Sequence, residues 1–177
     1  MPRLEVNLNT PEGRALVKGT WRRAMGLVPG EPNQGLVAEI LETPARLKEY
    51  DDSSWEVTEN IREVLSVGFT FGWWRITVEI PEFIDGMPTA GANTLFETNV
   101  DNYGEIFIDG EIDAVAGTVA GNNAQQRVVV SPSAVPGARH TIAVLAANAP
   151  LAVPRGGIFL RYATLAFETR DVPPGRA

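Results

Sequence analysis

"GFTFGWWRITVEIPE", residues 68–82, carries the strongest architectural signal in the chain. From Trp74 the residues alternate strictly. Trp74, Ile76, Val78 and Ile80 share one side, while Arg75, Thr77 and Glu79 share the other. That period of two is the mark of a half-buried strand, and Pro81 closes it. The same phase predicts Trp74 in the core and places Trp73 beside Arg75, on the more polar side. An indole there covers another element, sits in an interface between subunits, or stacks on the apolar face of a sugar ring.

Outward from this strand the pattern repeats. "TLFETNV" and "YGEIFIDG" follow, with Asp109-Gly110 as a hairpin turn signal. "QQRVVVSP", "HTIAVLAAN" and "GGIFLRYATLAFE" come next, separated by Gly, Pro, Asn and Asp. Regularly spaced strands without long intervening helices predict an all-β sandwich rather than an α/β sheet. The stretch before residue 68 reads less clearly. "ALVKGTWRRAMGLV" suits an extended strand with a bend. Leu36, Val37, Ile40 and Leu41 have helical spacing that Pro44 interrupts, and "DSSWEVTENIREVL" opens on a helix-capping type, Asp52 or Ser53. One or two short helical segments are therefore expected. No internal repeat is visible. A single domain over residues 1–170 is expected, with 171–177 as a loose tail.

Composition narrows the classes. The chain has 177 residues, 44% hydrophobic, enough for a sizeable core. A net charge of −7 and a pI near 4.8 argue against nucleic-acid binding, which needs a basic surface. No run approaches the roughly 20 apolar residues of a membrane span, and the first residues lack a secretory apolar core, so a cytoplasmic location is expected. Without cysteine there is no disulfide, thiol catalysis or thiolate metal site, and a lone histidine excludes a multi-histidine site.

Four sets of residues are candidates for chemistry. "NVDNYGEIFIDGE" places Asn99, Asp101, Asn102 and Tyr103 between two strands. They either stabilise a turn or present donors and acceptors to a hydroxyl-rich ligand. His140 begins "HTIAVLAAN" in phase with Ile142 and Val144. It is either a satisfied core or rim residue or a general acid/base tuned by a carboxylate, for which Asp101 is the first candidate. Asp51, Asp52 and Glu168 are oxygen ligands of the kind calcium takes, or simply solvated acids. Arg155, in "PRGG", either clamps an anion or lies in solvent.

Read together, "YDDSSWEV", "FGWWRITVEIPE", "NVDNYGEIFIDGE" and "PGARHTIAVLAANAPL" resemble a galactose-binding-like jelly roll. They are similar to the sugar-binding domain of family 2 glycosidases. The elements that carry the likeness are Asp51, Asp52, Ser53 and Trp55; the strand start Trp73-Trp74-Arg75; the Asp109-Gly110 hairpin; and the Pro136-Gly137 turn into a strand ending at Asn148. A domain attached to some SMP-30/gluconolactonase-like proteins is similar too. The resemblance covers roughly residues 15–168. No glycosidase barrel or lactonase propeller follows in this chain, so it implies a binding or accessory role. Some domains of this kind also hold a structural calcium, which Asp51, Asp52 and Glu168 match loosely; no other cofactor is expected.

The expected function is binding of a carbohydrate or related polyhydroxylated small molecule. Trp73, Asn99, Asp101, Tyr103 and Asn148 would form the site, and Arg155 would cover it. A homodimer or a complex with another chain would then bury Trp73. The alternative is a small cofactor-independent lyase, dehydratase or isomerase. In it His140 is the acid/base, Asp101 orients it, and Tyr103 or Arg75 stabilises negative charge. A third reading is a structural interaction subunit.

Overall fold

The computed structural model describes residues 3–26, 44–68, 71–100, 103–113, 116–120, 124–148 and 157–169. Its strands, in chain order, begin with β1 (Arg3–Asn7), β2 (Arg22–Met25), β3 (Glu56–Val57), β4 (Ser66–Val67) and β5 (Phe71–Glu79). Then come β6 (Phe83–Ile84), β7 (Met87–Pro88), β8 (Asn93–Val100), β9 (Tyr103–Ile108) and β10 (Glu111–Ile112). The series ends with β11 (Thr118–Ala120), β12 (Gln125–Ser131), β13 (Arg139–Ala147), β14 (Gly157–Ile158) and β15 (Leu160–Glu168). A four-stranded sheet runs β1-β15-β8-β12, and a second sheet runs β10-β9-β13-β5-β2-β3, with β11 also pairing with β9. Every pairing is antiparallel. The chain is the all-β sandwich that the alternation predicts.

The inner faces of the two sheets form one large core. Trp74, Ile76, Val78 and Ile80 meet Ile142, Val144 and Ile106 of the same sheet and Phe96, Val100, Leu165 and Phe167 of the other. Trp74 is fully buried, as the alternation predicts. Asp109 and Gly110 both have positive φ, at 50° and 91°, and Ile108 pairs directly with Glu111. That is the two-residue turn whose twist suits a hairpin.

Local structure before β5 differs from the sequence reading. The stretch 15–28, read as a bent strand, does contain β2; a helix the sequence did not announce, α1 (Pro11–Leu16), precedes it and takes only its first two residues. Thr10 caps it by accepting from the Gly13 amide at 3.1 Å, and Pro11 starts it with its fixed φ. Gly13 is needed there because an added Cβ would sit 1.9 Å from the Asn7 carbonyl oxygen. "DSSWEVTENIREVL", read as opening on a helical turn, makes one hydrogen-bonded turn, with the Trp55 amide donating to the Asp52 carbonyl at 3.0 Å, and then enters the two-residue edge strand β3. Its backbone is claimed by β2 through Arg22↔Val57 and Arg23↔Glu56, and the Thr58 amide donates to the Trp21 carbonyl at 3.0 Å. Leu36 to Leu41 lie outside the described residues; Pro44–Arg46 is a single 3-10 turn. No helix among the described residues is long and apolar enough to cross a membrane.

Candidate functional site

Trp73 points away from the main core, yet it too is fully buried. A second apolar cluster joins it to Phe107, Ala143, Ala45 and Trp55, with Tyr50 and Leu145 packed alongside. The Trp73 and Phe107 rings lie 5.8 Å apart. Phe107 and Ala143 come from β9 and β13, whereas Ala45, Tyr50 and Trp55 come from the segment 44–55. This segment is a strap over the outer face of the larger sheet.

Arg75 holds the strap down. It is 1% exposed, and its Nε donates to Asp52 Oδ2 at 2.9 Å. Its two terminal nitrogens donate to the backbone carbonyls of Leu47 at 3.1 Å, of Tyr50 at 3.4 Å and of Ala45. The guanidinium carbon lies 5.4 Å from the Tyr50 ring centroid, within cation–π range. Such a planar fork suits several oxygens at once, and a lysine would not reproduce it. At the far end of the strap, Arg46 donates to the Gly110 carbonyl, Lys48 pairs with Asp109 at 3.2 Å, and Lys48 donates to the Arg139 carbonyl at 3.0 Å.

These contacts correct two sequence expectations. Trp73 offers no platform to a ligand, and no second subunit is required to bury it, because the chain covers it. Arg75 is an anchor with its nitrogens committed to protein oxygens. The alternation located the face of each residue correctly but carried no information about what packs on that face.

His140 does have a carboxylate partner. Its Nδ1 lies 2.7 Å from Asp109 Oδ2, while Asp109 Oδ1 accepts from the Thr141 amide at 2.8 Å. Burial works against ionisation of Asp109, but the Thr141 amide, His140 and Lys48 together hold its pKa below the usual aspartate value. The partner is thus Asp109, which the sequence presented only as a turn residue. Asp109, Glu111 and Asp113 border a cleft of about 300 Å³ between β10 and β12.

The other catalytic candidates are elsewhere. Tyr103 pairs in register with Ala147, at the opposite end of β13 from His140. That nine-residue strand spans roughly 25–30 Å at ~3.3 Å per residue. Arg75 lies between, opposite Ala143 and under the strap. Asp101 and Arg155 lie outside the described residues. His140, Tyr103 and Arg75 therefore do not converge.

The ligand-binding candidates share one end of the sandwich but not one surface. Asn99, 5% exposed, belongs to the outer side of β8, since Phe96 and Val100 face the core. Tyr103 lies on the outer side of the other sheet, in phase with Phe107. Its hydroxyl bonds Glu105 at 2.5 Å, and burial together with that carboxylate pushes its pKa up to about 12. Asn148, 2% exposed, follows the end of β13.

The proposed calcium ligands do not gather either. Asp51 accepts from the Ser53 amide at 3.0 Å, and Asp52 is held by Arg75 and, at 3.5 Å, by Arg22. Glu168 sits across the sandwich, paired with Arg3 at 3.2 Å and with Arg127. Among the described residues no group of three or more His, Asp or Glu side chains is arranged to hold a metal ion.

Comparison with solved structures adds the fold relationship. A β-glucuronidase from Bacteroides uniformis matches with a TM-score of 0.62 at 18% identity, over 94% of this chain and 18% of that one. A Ruminococcus gnavus β-glucuronidase matches with a TM-score of 0.60 at 10% identity, over 94% of this chain and 28% of that one. A family 2 glycosyl hydrolase from Bacteroides cellulosilyticus matches with a TM-score of 0.59 at 14% identity, over 92% and 20% of the two chains. The fold is that of a domain of family 2 glycosidases. The expected resemblance to their galactose-binding-like domain therefore holds at the level of fold. This chain spans between about a fifth and about a quarter of the length of these enzymes. No family model and no curated protein matches it.

Proposed function

We propose that this chain is a carbohydrate-binding module of the jelly-roll type, taking a saccharide or related polyhydroxylated molecule without transforming it. The observation that carries this reading is the shared fold with glycosidase domains over nearly the whole chain. The scatter of His140, Tyr103 and Arg75 also favours binding over catalysis, because acid/base chemistry needs its groups within hydrogen-bond reach of one reacting centre. Affinity in such a module comes from ring stacking and from bonds between ligand hydroxyls and fixed polar side chains.

The test is a thermal-shift screen of the intact chain against mono- and oligosaccharides, followed by calorimetric titration of each hit. A ligand that binds the folded state raises the melting temperature by mass action. At least one saccharide should do so in a concentration-dependent way. No shift with any sugar would overturn the reading and leave the structural-subunit alternative.

A further inference from the structure

The outer face of the four-stranded sheet is built differently from the strap-covered face, and one of its features has no structural explanation of its own. β15 carries a β-bulge. Leu160 pairs with Val100 and Ala163 with Thr98, so Arg161 and Tyr162 together stand opposite Asn99. Side chains take up backbone groups around the bulge. Arg62 Nε donates to the Arg161 carbonyl at 2.7 Å and Thr98 Oγ1 to the Tyr162 carbonyl at 2.6 Å. The Ala163 amide donates to Asn9 Oδ1 at 2.9 Å. Three separate elements thus supply groups to hold the extra residue. A bulge supported in this way re-aims a side chain, and here that side chain is the half-buried Tyr162.

Tyr162 sits in a polar row across the sheet. Asn99 is beside it on β8, and Gln125 pairs with Asn99 from β12. The next row holds Arg127, Glu97 and Thr164 in register. Glu97 is fixed from both sides, with Oε2 2.5 Å from Arg3 and Oε1 2.9 Å from Arg127. Each carboxylate oxygen has lone-pair capacity beyond one bond. The Tyr162 hydroxyl is kept protonated by burial and by the nearby Glu97 charge. It remains a donor at neutral pH. An aromatic ring, a fixed carboxylate, a guanidinium and the exposed Gln125 amide on one sheet face match the needs of a sugar ring: a stacking surface with hydroxyl partners around it.

Resting on the carbohydrate reading, we infer that this face, centred on Tyr162 and Glu97, is the saccharide-binding site, and that it takes a neutral oligosaccharide running across the strands. Charge sets the class. Three carboxylates, Glu5, Glu97 and Glu168, are paired there with two guanidinium groups, Arg3 and Arg127. The whole chain, at −7, repels a polyuronate.

The experiment is calorimetric titration of the intact chain with cellohexaose, xylohexaose, mannohexaose and hexagalacturonate. It is repeated with Tyr162→Ala, Tyr162→Phe, Glu97→Gln and, as a control on the other sheet, Tyr103→Ala. At least one neutral hexasaccharide should bind, and hexagalacturonate should not. Tyr162→Ala and Glu97→Gln should each weaken binding at least tenfold, Tyr162→Phe should keep most of it, and Tyr103→Ala should leave it unchanged. Circular dichroism and melting curves establish that each variant is folded. Should Tyr162→Ala not fold, Glu97→Gln decides. Saccharide binding unaffected by Tyr162→Ala and Glu97→Gln, or lost in Tyr103→Ala, overturns this site but leaves the carbohydrate reading standing. Preference for hexagalacturonate overturns the neutral class. Failure of the wild-type chain to bind any saccharide overturns both.

Discussion

On the outer face of the larger sheet the chain covers itself. On the outer face of the smaller sheet it leaves arginines, carboxylates and a tyrosine to meet solvent. The first face carries Trp73, Arg75 and Phe107, all nine-tenths buried or more, beneath residues 44–55. The second carries Arg3, Glu97, Arg127 and Glu168 in a linked set of ion pairs. A sheet face can hold bulky aromatics only if something excludes water from them, and the strap does so. The second face is charged where it meets solvent, and its partly exposed ion pairs are screened and weakly stabilising. Burial on one face therefore helps hold the molecule together, while the other keeps its charged side chains partly in solvent.

Substitutions can break this contrast in graded steps. The largest effect is expected at Trp73. Trp73→Ala should cost about 4 kcal/mol in denaturant unfolding, through lost burial and the cavity left under the strap. Trp73→Phe should cost about 1 kcal/mol, because it keeps an aromatic ring and removes an indole Nε1 that has no hydrogen-bond partner among the described residues. Arg75→Met should follow at about 3 kcal/mol, since it strips the strap carbonyls and Asp52 of their buried donor. It should also shift tryptophan emission to longer wavelength as the strap loosens. If Arg75→Met left both stability and emission unchanged, the strap would not depend on its anchor.

A smaller effect is expected at Asp109, and it depends on pH. Its folded-state pKa is depressed, so its contribution is present above the unfolded value of about 3.9 and is lost as pH falls through the lower folded value. Asp109→Asn keeps a residue that tolerates the positive φ of the turn. The variant should melt below the wild type at pH 6, and the two curves should converge toward pH 3. Parallel curves across that range would remove Asp109 from the acid response. The smallest effect belongs to the open face: Arg127→Ala, at a residue whose side chain is 48% exposed, should change stability by about 0.5 kcal/mol or less.

Some of this was legible in particular residues. The alternation from Trp74 to Ile80 marked a core stripe, and Asp109-Gly110 marked a tight turn, because side-chain period and positive φ are local properties. The same residues hid other facts. Nothing near His140 in sequence names Asp109, 31 positions away, as its partner; the register of β9 against β13 brings them together. Asn99, Tyr103 and Asn148 looked like one cluster. The two sheets turn Asn99 and Tyr103 to opposite outer faces, since one belongs to β8 and the other to β9. Tyr162 carries no signal in the sequence, because a bulge is a property of a pairing and not of a single strand.

By itself the sequence determined a β-sandwich with its inward stripe, its hairpin and its lack of thiol chemistry, since each follows from short-range periodicity, turn stereochemistry or composition. Only the tertiary structure decided what lies over the second tryptophan. Strand phase assigns a side chain to a face, but the water that face sees depends on contacts with residues far along the chain, such as Ala45 and Trp55. For Trp73 those contacts are the strap and its arginine anchor, and they turn an apparent binding platform into a second core.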